Sequence, residues 1–298
     1  MATTTASRIV TCRDLFDAIT EGQGPEAHRH RGMDKPGMRD RDGAGGAYPI
    51  LGGLVDGIKA GDSDVPLKGA VVAARASTPV LERAVALGAN VVITRCSFYT
   101  DNMDRLIGKP EPALAAKADY ITRNNLVMLR VRDPRVGPAG MAVATAFPAA
   151  MGLTKGLKPG NIGDGLVYTT SGVTVLDLVR RIKQALPTQT VRLIGDPAMP
   201  VSGVAFSTET TRPNALNPLV ARPDVNLLVC GELHETETSP YVMDSIEQGQ
   251  RKALVAVGAI AMEQPAARKL AEWVKTITDK PVAYVPSDEG LVDIALIR

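Results

Sequence analysis

The chain has 298 residues, 45% apolar and 22% charged, enough for the core of one large or two modest domains of a soluble globular protein. Its 34 basic and 32 acidic side chains leave a formal charge of +2, so no global field points to nucleic acid or an anionic membrane as partner. One Trp, six Tyr and four Phe also leave little surface for base stacking.

In chain order, short β-branched runs alternate with amphipathic stretches, the pattern of an α/β protein with mostly parallel or mixed sheets. A helix is predicted over 13–21, then a Gly-rich, charged segment over 22–53, and then a strand at 69–75. A helix at 78–87, a strand at 90–94, a helix at 113–123 and a strand at 126–131 follow. Residues 134–165, rich in Gly, Ala and Pro, are read as a long loop. Beyond it come a helix at 174–186, strands at 191–194, 201–207 and 225–230, a helix at 240–248, a strand at 253–257, a helix at 266–277 and a strand at 282–285. Boundaries of 1–55, 56–140, 141–190 and 191–298 are expected for an N-terminal segment, a first α/β half, a connecting segment with its helix, and a second α/β half.

The two halves echo each other. "VPLKGAVVAARASTPVLERAVALGANVVITRC" is answered by "MPVSGVAFSTETTRPNALNPLVARPDVNLLVCGE", each with a Pro, a Gly soon after, a buried strand, a variable connection and a second buried strand. At their strand ends Arg95 and Cys96 fall opposite Gly231 and Glu232. In open α/β sheets that carboxyl edge is where ligands bind. A thiol beside a fixed cation is a candidate nucleophile, although with no histidine near it Cys96 also reads as ordinary packing. In "GELHETE", Glu232, His234, Glu235 and Glu237 crowd a strand end, either as a group suited to acid–base chemistry or as a solvated loop.

Three cysteines at wide spacing, with no CxxC, predict a reducing compartment, the cytoplasm. Neither a membrane-length apolar run nor the pattern of a signal peptide is present. "GAGGAY" matches neither a phosphate loop nor a dinucleotide turn, and no cofactor is expected.

The order of "DVPLKGAVVAA", "ALGANVVIT", "LLVCGELHETE" and "KALVAVGAIAMEQPAARKLAEWV" resembles the Nif-three-like family, also called dinuclear-metal-centre hexameric or type 2 GTP cyclohydrolase-like proteins. The resemblance covers about 56–135 and 190–287, and it implies two similar halves with mixed sheets flanked by helices, assembled as a homohexamer. Family members hold two metal ions with histidines and carboxylates. Here the matching positions read "TRC" with Arg95 and Cys96, "RVRDP" with Arg132 and Asp133, and "GAIAME" with Gly258, Ala259 and Glu263. Guanidinium offers no lone pair to a cation, so no metal is expected there. A three-histidine site from His28, His30 and His234 is the weaker alternative.

Two uses of the arginines stay open: neutralising Glu232, Glu235 and Glu263, or clamping a carboxylate or phosphate. The resulting expectation is a metal-independent enzyme acting on an anionic small molecule in a cleft between the halves. Its catalytic candidates are Cys96, His234, Glu235 and Glu263, and its ligand-binding candidates are Arg95, Tyr99, Arg132, Asp133 and Glu232. A non-catalytic oligomeric scaffold and a metal-dependent hydrolase with an atypical site are the alternatives.

Overall fold

The computed structural model describes residues 9–20, 56–98, 104, 110–131, 143–154, 165–186, 188, 190–207, 213–233, 235–287 and 290. The elements are α1 (Cys12–Thr20), β1 (Gly57–Ala60), β2 (Ala70–Ala73), α2 (Thr78–Ala86), β3 (Val91–Thr94), α3 (Pro112–Arg123) and β4 (Val127–Arg130). They continue as α4 (Val143–Ala150), β5 (Gly165–Thr174), α5 (Val175–Ala185), β6 (Arg192–Ile194), β7 (Pro200–Ser207) and α6 (Pro213–Ala221). The last are β8 (Leu227–Cys230), α7 (Thr238–Glu247), β9 (Ala253–Ala256), α8 (Ala259–Ile277) and β10 (Val282–Tyr284). The packing divides the chain into unit 1, residues 1–141 with 267–287, and unit 2, residues 142–266 with 288–298. Among the described residues no helix is long and apolar enough to cross a membrane.

Unit 1 holds a sheet in the order β1-β4-β3-β2-β10, parallel except for β1, which runs antiparallel to β4. The strands AVVA, VVIT and VMLR are buried along their whole length, as expected where both faces of a parallel sheet are covered. Side chains alternate between faces: Val91 and Ile93 join the core with Leu15 and Ile19 of α1 and Leu270 and Val274 of α8, while Val92 joins Leu81, Phe98 and Ile121 on the other. Unit 2 repeats the plan with the order β5-β7-β8-β9-β6, where β7, β8 and β9 are parallel and both edge strands antiparallel. One face packs Phe206 edge-on against Phe147 and Tyr168, with centroids 5.8 and 5.6 Å away.

The α/β class and the two similar halves are therefore present, and the repeat reaches further than the two quoted segments. "VTCRDL" and "VTVLDL" begin α1 and α5, and each forms a capping box: Thr11 with Asp14, Thr174 with Asp177. "GDSDVPLKG" and "GDPAMPVSG" lead into β2 and β7 with the same bonds. The Asp62 side chain accepts from the Asp64 N–H as Asp196 does from Ala198, and the Cys12 N–H reaches the Val65 carbonyl as Val175 reaches Met199. Asn90 and Asn226, each just before the second parallel strand, accept from the backbone N–H of Lys68 and Ser202. Both sheets share the order β1-β4-β3-β2 or β6-β9-β8-β7. They part only at the far edge, where β10 is parallel and β5 antiparallel.

Several local readings are corrected. The 134–165 loop contains α4, whose VATAFPAA lacks polar periodicity, and β1, β5 and α6 were not predicted. Pro265 lies inside α8, so taking it as a start signal placed the helix start too late. Cys12 is buried and receives the Asn90 side-chain N–H at 3.5 Å.

Candidate functional site

At the carboxyl edge of the unit 1 sheet, Ala73, Thr94 and Arg130 stand in register at the ends of β2, β3 and β4. Arginines follow or close each strand: Arg75, Arg95 and Arg130. The turn after β3 is fixed by its backbone, since the Arg95 and Cys96 N–H groups both donate to the Ala74 carbonyl and Thr94 Oγ1 donates to the Cys96 carbonyl. Arg95 is buried, at 3% exposure, and Cys96 is half-buried.

Arg130 Nη1 donates to Asp104 Oδ2 at 2.8 Å, with side-chain exposures of 1% and 0%, and its Nε reaches the Arg95 carbonyl at 3.4 Å. Asp104 Oδ1 accepts the Phe98 N–H at 2.5 Å. Both carboxylate oxygens are thus engaged, and the residue adopts φ 59 to bring them there. The Phe98 carbonyl accepts from Lys117 Nζ of α3, so both polar groups of one peptide position are tied to charged side chains.

The field at this edge is set by burial and by cations. Burial and then the Arg75 charge push the Lys117 ammonium down to about 8, partly countered by Asp104. Burial likewise lowers Lys59 of β1, with Asp104 and Asp56 opposing and Arg130 adding to the shift. Arg75 itself is exposed, but its backbone is held at both ends: its N–H donates to Ser287 Oγ at 2.9 Å, and Ser287 Oγ donates to its carbonyl at 2.9 Å.

The equivalent edge of unit 2 has Ser207, Cys230 and Ala256 where unit 1 has Ala73, Thr94 and Arg130. Burial pushes the Cys230 thiol up to about 12, as suits a packing residue. Gly231 lies where a Cβ would meet Ala259 Cα at 3.0 Å, which lets α8 start close against the strand end. Glu232 and Glu235 are exposed, and Glu263 is half-buried on α8. Glu235 pairs with Arg192 of β6 on the surface of the same unit.

Of the residues singled out from the sequence, Arg95 and Cys96 belong to unit 1, and Glu232, Glu235 and Glu263 to unit 2. Tyr99, Arg132, Asp133, His234, His28 and His30 lie outside the described residues. Sequence reasoning missed Arg75, Arg130, Lys59, Lys117 and Asp104. A signal for two of them existed: "AAR", "VITR" and "VMLR" put an arginine at or just past the end of three successive strands.

Among the described residues, those matched to the family's metal ligands do not make up a set for two metal ions. Arg95 and Ala259 bring no electron pair to two of the matched positions, and among the described residues no group of three His, Cys, Asp or Glu can hold an ion.

Comparison with known proteins agrees with the fold. The model of the family described as Duf34/NIF3 (NGG1p interacting factor 3) matches residues 55–288. A Bacillus cereus protein related to NIF3 superposes with TM-score 0.65 at 12% identity, covering 97% of this chain and 100% of its own. Protein ybgI, of unknown function, gives 0.61 at 21% identity over 79% and 90%, and Staphylococcus aureus protein SA1388 gives 0.60 at 14% over 80% and 92%. These likenesses concern the fold alone. No curated protein matches the sequence.

Proposed function

Because the chain belongs to the Duf34/NIF3 family, we propose that it is a metal-independent member, an enzyme that holds an anionic small molecule at the carboxyl edge of the unit 1 sheet. The observation that carries this reading is the charge inventory there. Five elements or their ends contribute Lys59, Arg75, Arg95, Lys117 and Arg130, while the described carboxylates are Asp56 and Asp104, and Asp104 already engages Arg130 and Phe98. Positive charge in a partly desolvated setting attracts an anion more strongly than the same charge in bulk water. Arg95 and Arg130 supply fixed buried charge. Arg75, Lys117 and Lys59 are the cations with solvent access, and Cys96 lines the same turn. The protein works as a homo-oligomer, a hexamer by family resemblance, in the cytoplasm.

A non-catalytic oligomeric scaffold is the second reading, and the complete burial of the Arg130–Asp104 pair favours it, since that pair holds the loop whether or not anything binds. A thermal-shift screen of carboxylates and phosphates on chelator-treated protein separates the two. The enzyme reading expects at least one anion to raise the wild-type melting point, with Arg75→Gln weakening its apparent affinity about 10-fold or more. A screen with no shift leaves the scaffold.

A further inference from the structure

We propose that Ser287 is a positioning residue for anion binding: its hydroxyl clamps the backbone of Arg75, so that the guanidinium stands ordered at the carboxyl edge of unit 1 before an anion arrives. The inference rests on the anion-binding reading and adds the residue that prepares its exposed arginine.

The clamp joins distant parts of the chain. Arg75 lies just past the end of β2 and Ser287 just past the end of β10, and the register that sets Tyr284 beside Val72 sets Ser287 beside Arg75. Backbone pairing runs out just before this point. The Val285 N–H still donates to the Val72 carbonyl at 2.9 Å, but the Ala74 carbonyl already accepts from the Arg95 and Cys96 N–H groups, which fills both its lone pairs. The Ser287 side chain takes over: its Oγ accepts the Arg75 N–H at 2.9 Å and donates to the Arg75 carbonyl at 2.9 Å. That carbonyl also accepts the Ser77 N–H at 3.1 Å. The backbone of Arg75 is thus engaged at both its polar groups, while the residue itself is exposed.

Three features point beyond plain support. Ser287 is 2% exposed, so bulk water does not compete for its hydroxyl and the clamp holds without a ligand. A strand end without a partner frays, and a guanidinium carried on a frayed end is ordered only as the anion binds, which lowers affinity. Arg130 is oriented through its side chain by Asp104, whereas Arg75 is oriented through its backbone, which leaves its guanidinium donors for a carboxylate or phosphate. Finally, β10 is the strand by which the two units differ: it is parallel where β5 of unit 2 is antiparallel, so the departure from the repeat is what delivers Ser287 to Arg75.

The test is isothermal titration of the chelator-treated, full-length protein with pyruvate and with inorganic phosphate, comparing wild type, Ser287→Ala, Ser287→Thr and Arg75→Gln well below their melting points. Ser287→Ala is expected to weaken anion binding about 5- to 10-fold, and Ser287→Thr, which keeps the hydroxyl, to stay within about 2-fold of wild type. A clamp that is only structural lowers the Ser287→Ala melting point and leaves the affinity of the folded protein unchanged, which overturns the proposal, as do equal losses of affinity in the Ala and Thr variants. Amide hydrogen exchange on the wild type does not depend on any variant folding. The Arg75 N–H should be protected alike with and without pyruvate or phosphate, and an amide protected only after the anion is added overturns the proposal. Weakening by Arg75→Gln but not by Ser287→Ala removes the role of Ser287 and leaves anion binding, whereas a wild type that binds neither anion removes both.

Discussion

Asp104 and Arg130 are joined at 2.8 Å with neither side chain reaching solvent, and through Asp104 the end of β4 is tied to the backbone of Phe98. Desolvating two charges is costly, and the pair is maintained by the extra bonds to Phe98 and to the Arg95 carbonyl. Asp104→Ala leaves a guanidinium in the interior and is expected to lower unfolding free energy by about 3–5 kcal/mol in urea titration. The double variant with Arg130→Met should recover part of that loss. A single variant within about 0.5 kcal/mol of wild type would show that water reaches the arginine and that the pair does not hold the loop.

Lys117 gives the edge a pH signature of definite sign. Its folded-state value of about 8 lies below the 10.5 of an unperturbed lysine, so between those values the unfolded chain binds more protons than the native one. Stability contributed by this group therefore rises with pH across that window and is lowest where both states are protonated. Lys117→Met removes the dependence. Relative to Lys117→Met, the wild-type denaturation midpoint should be higher at pH 9.5 than at pH 7.5, and parallel profiles would mean that Lys117 is solvated like any surface lysine.

The paired glycines Gly69, just before β2, and Gly203, within β7, should differ in tolerance despite their equivalence. A Cβ on Gly203 would lie 1.8 Å from the Asp224 carbonyl oxygen, whereas on Gly69 the nearest atom is the Pro281 carbonyl oxygen at 3.0 Å. Backbone cannot swing aside as a side chain can, so Gly203→Ala is expected to cost about 3 kcal/mol or more and Gly69→Ala about 1 kcal/mol. Thermal unfolding of the two variants side by side checks this, and equal losses would contradict it.

Much of the fold was legible because its strongest signals are local. Runs such as AVVA, VVIT and LLVC are buried on both sides and admit few readings, and the spacing of Leu15 with Ile19 marks a helix face. The missed elements lack such signals: α4 is apolar all round, and GIKA of β1 is a half-buried edge strand whose place is set by pairing with β4. At the site, Arg95 was found because a cation interrupts a strand end. Lys117 and Asp104 could not be found the same way, since nothing in an ordinary helix or loop letter says that its side chain reaches Phe98. The Thr-x-x-Asp and Gly-Asp repeats were in plain sequence, but they fall outside the strands where the echo was sought.

Oligomerisation is expected from family resemblance, with the hexamer as the predicted closed form. Mass photometry at nanomolar concentration should show a species several times the 31.5 kDa chain mass. A single population at the chain mass would contradict it.

The most direct test of metal-independent anion binding is isothermal titration of chelator-treated, full-length protein with pyruvate and with inorganic phosphate, comparing wild type with Arg75→Gln. Binding of at least one anion is predicted to survive metal removal, to weaken about 10-fold or more in Arg75→Gln, and to fall with added salt. Binding that appears only after divalent metal is restored, and is indifferent to Arg75, would contradict it.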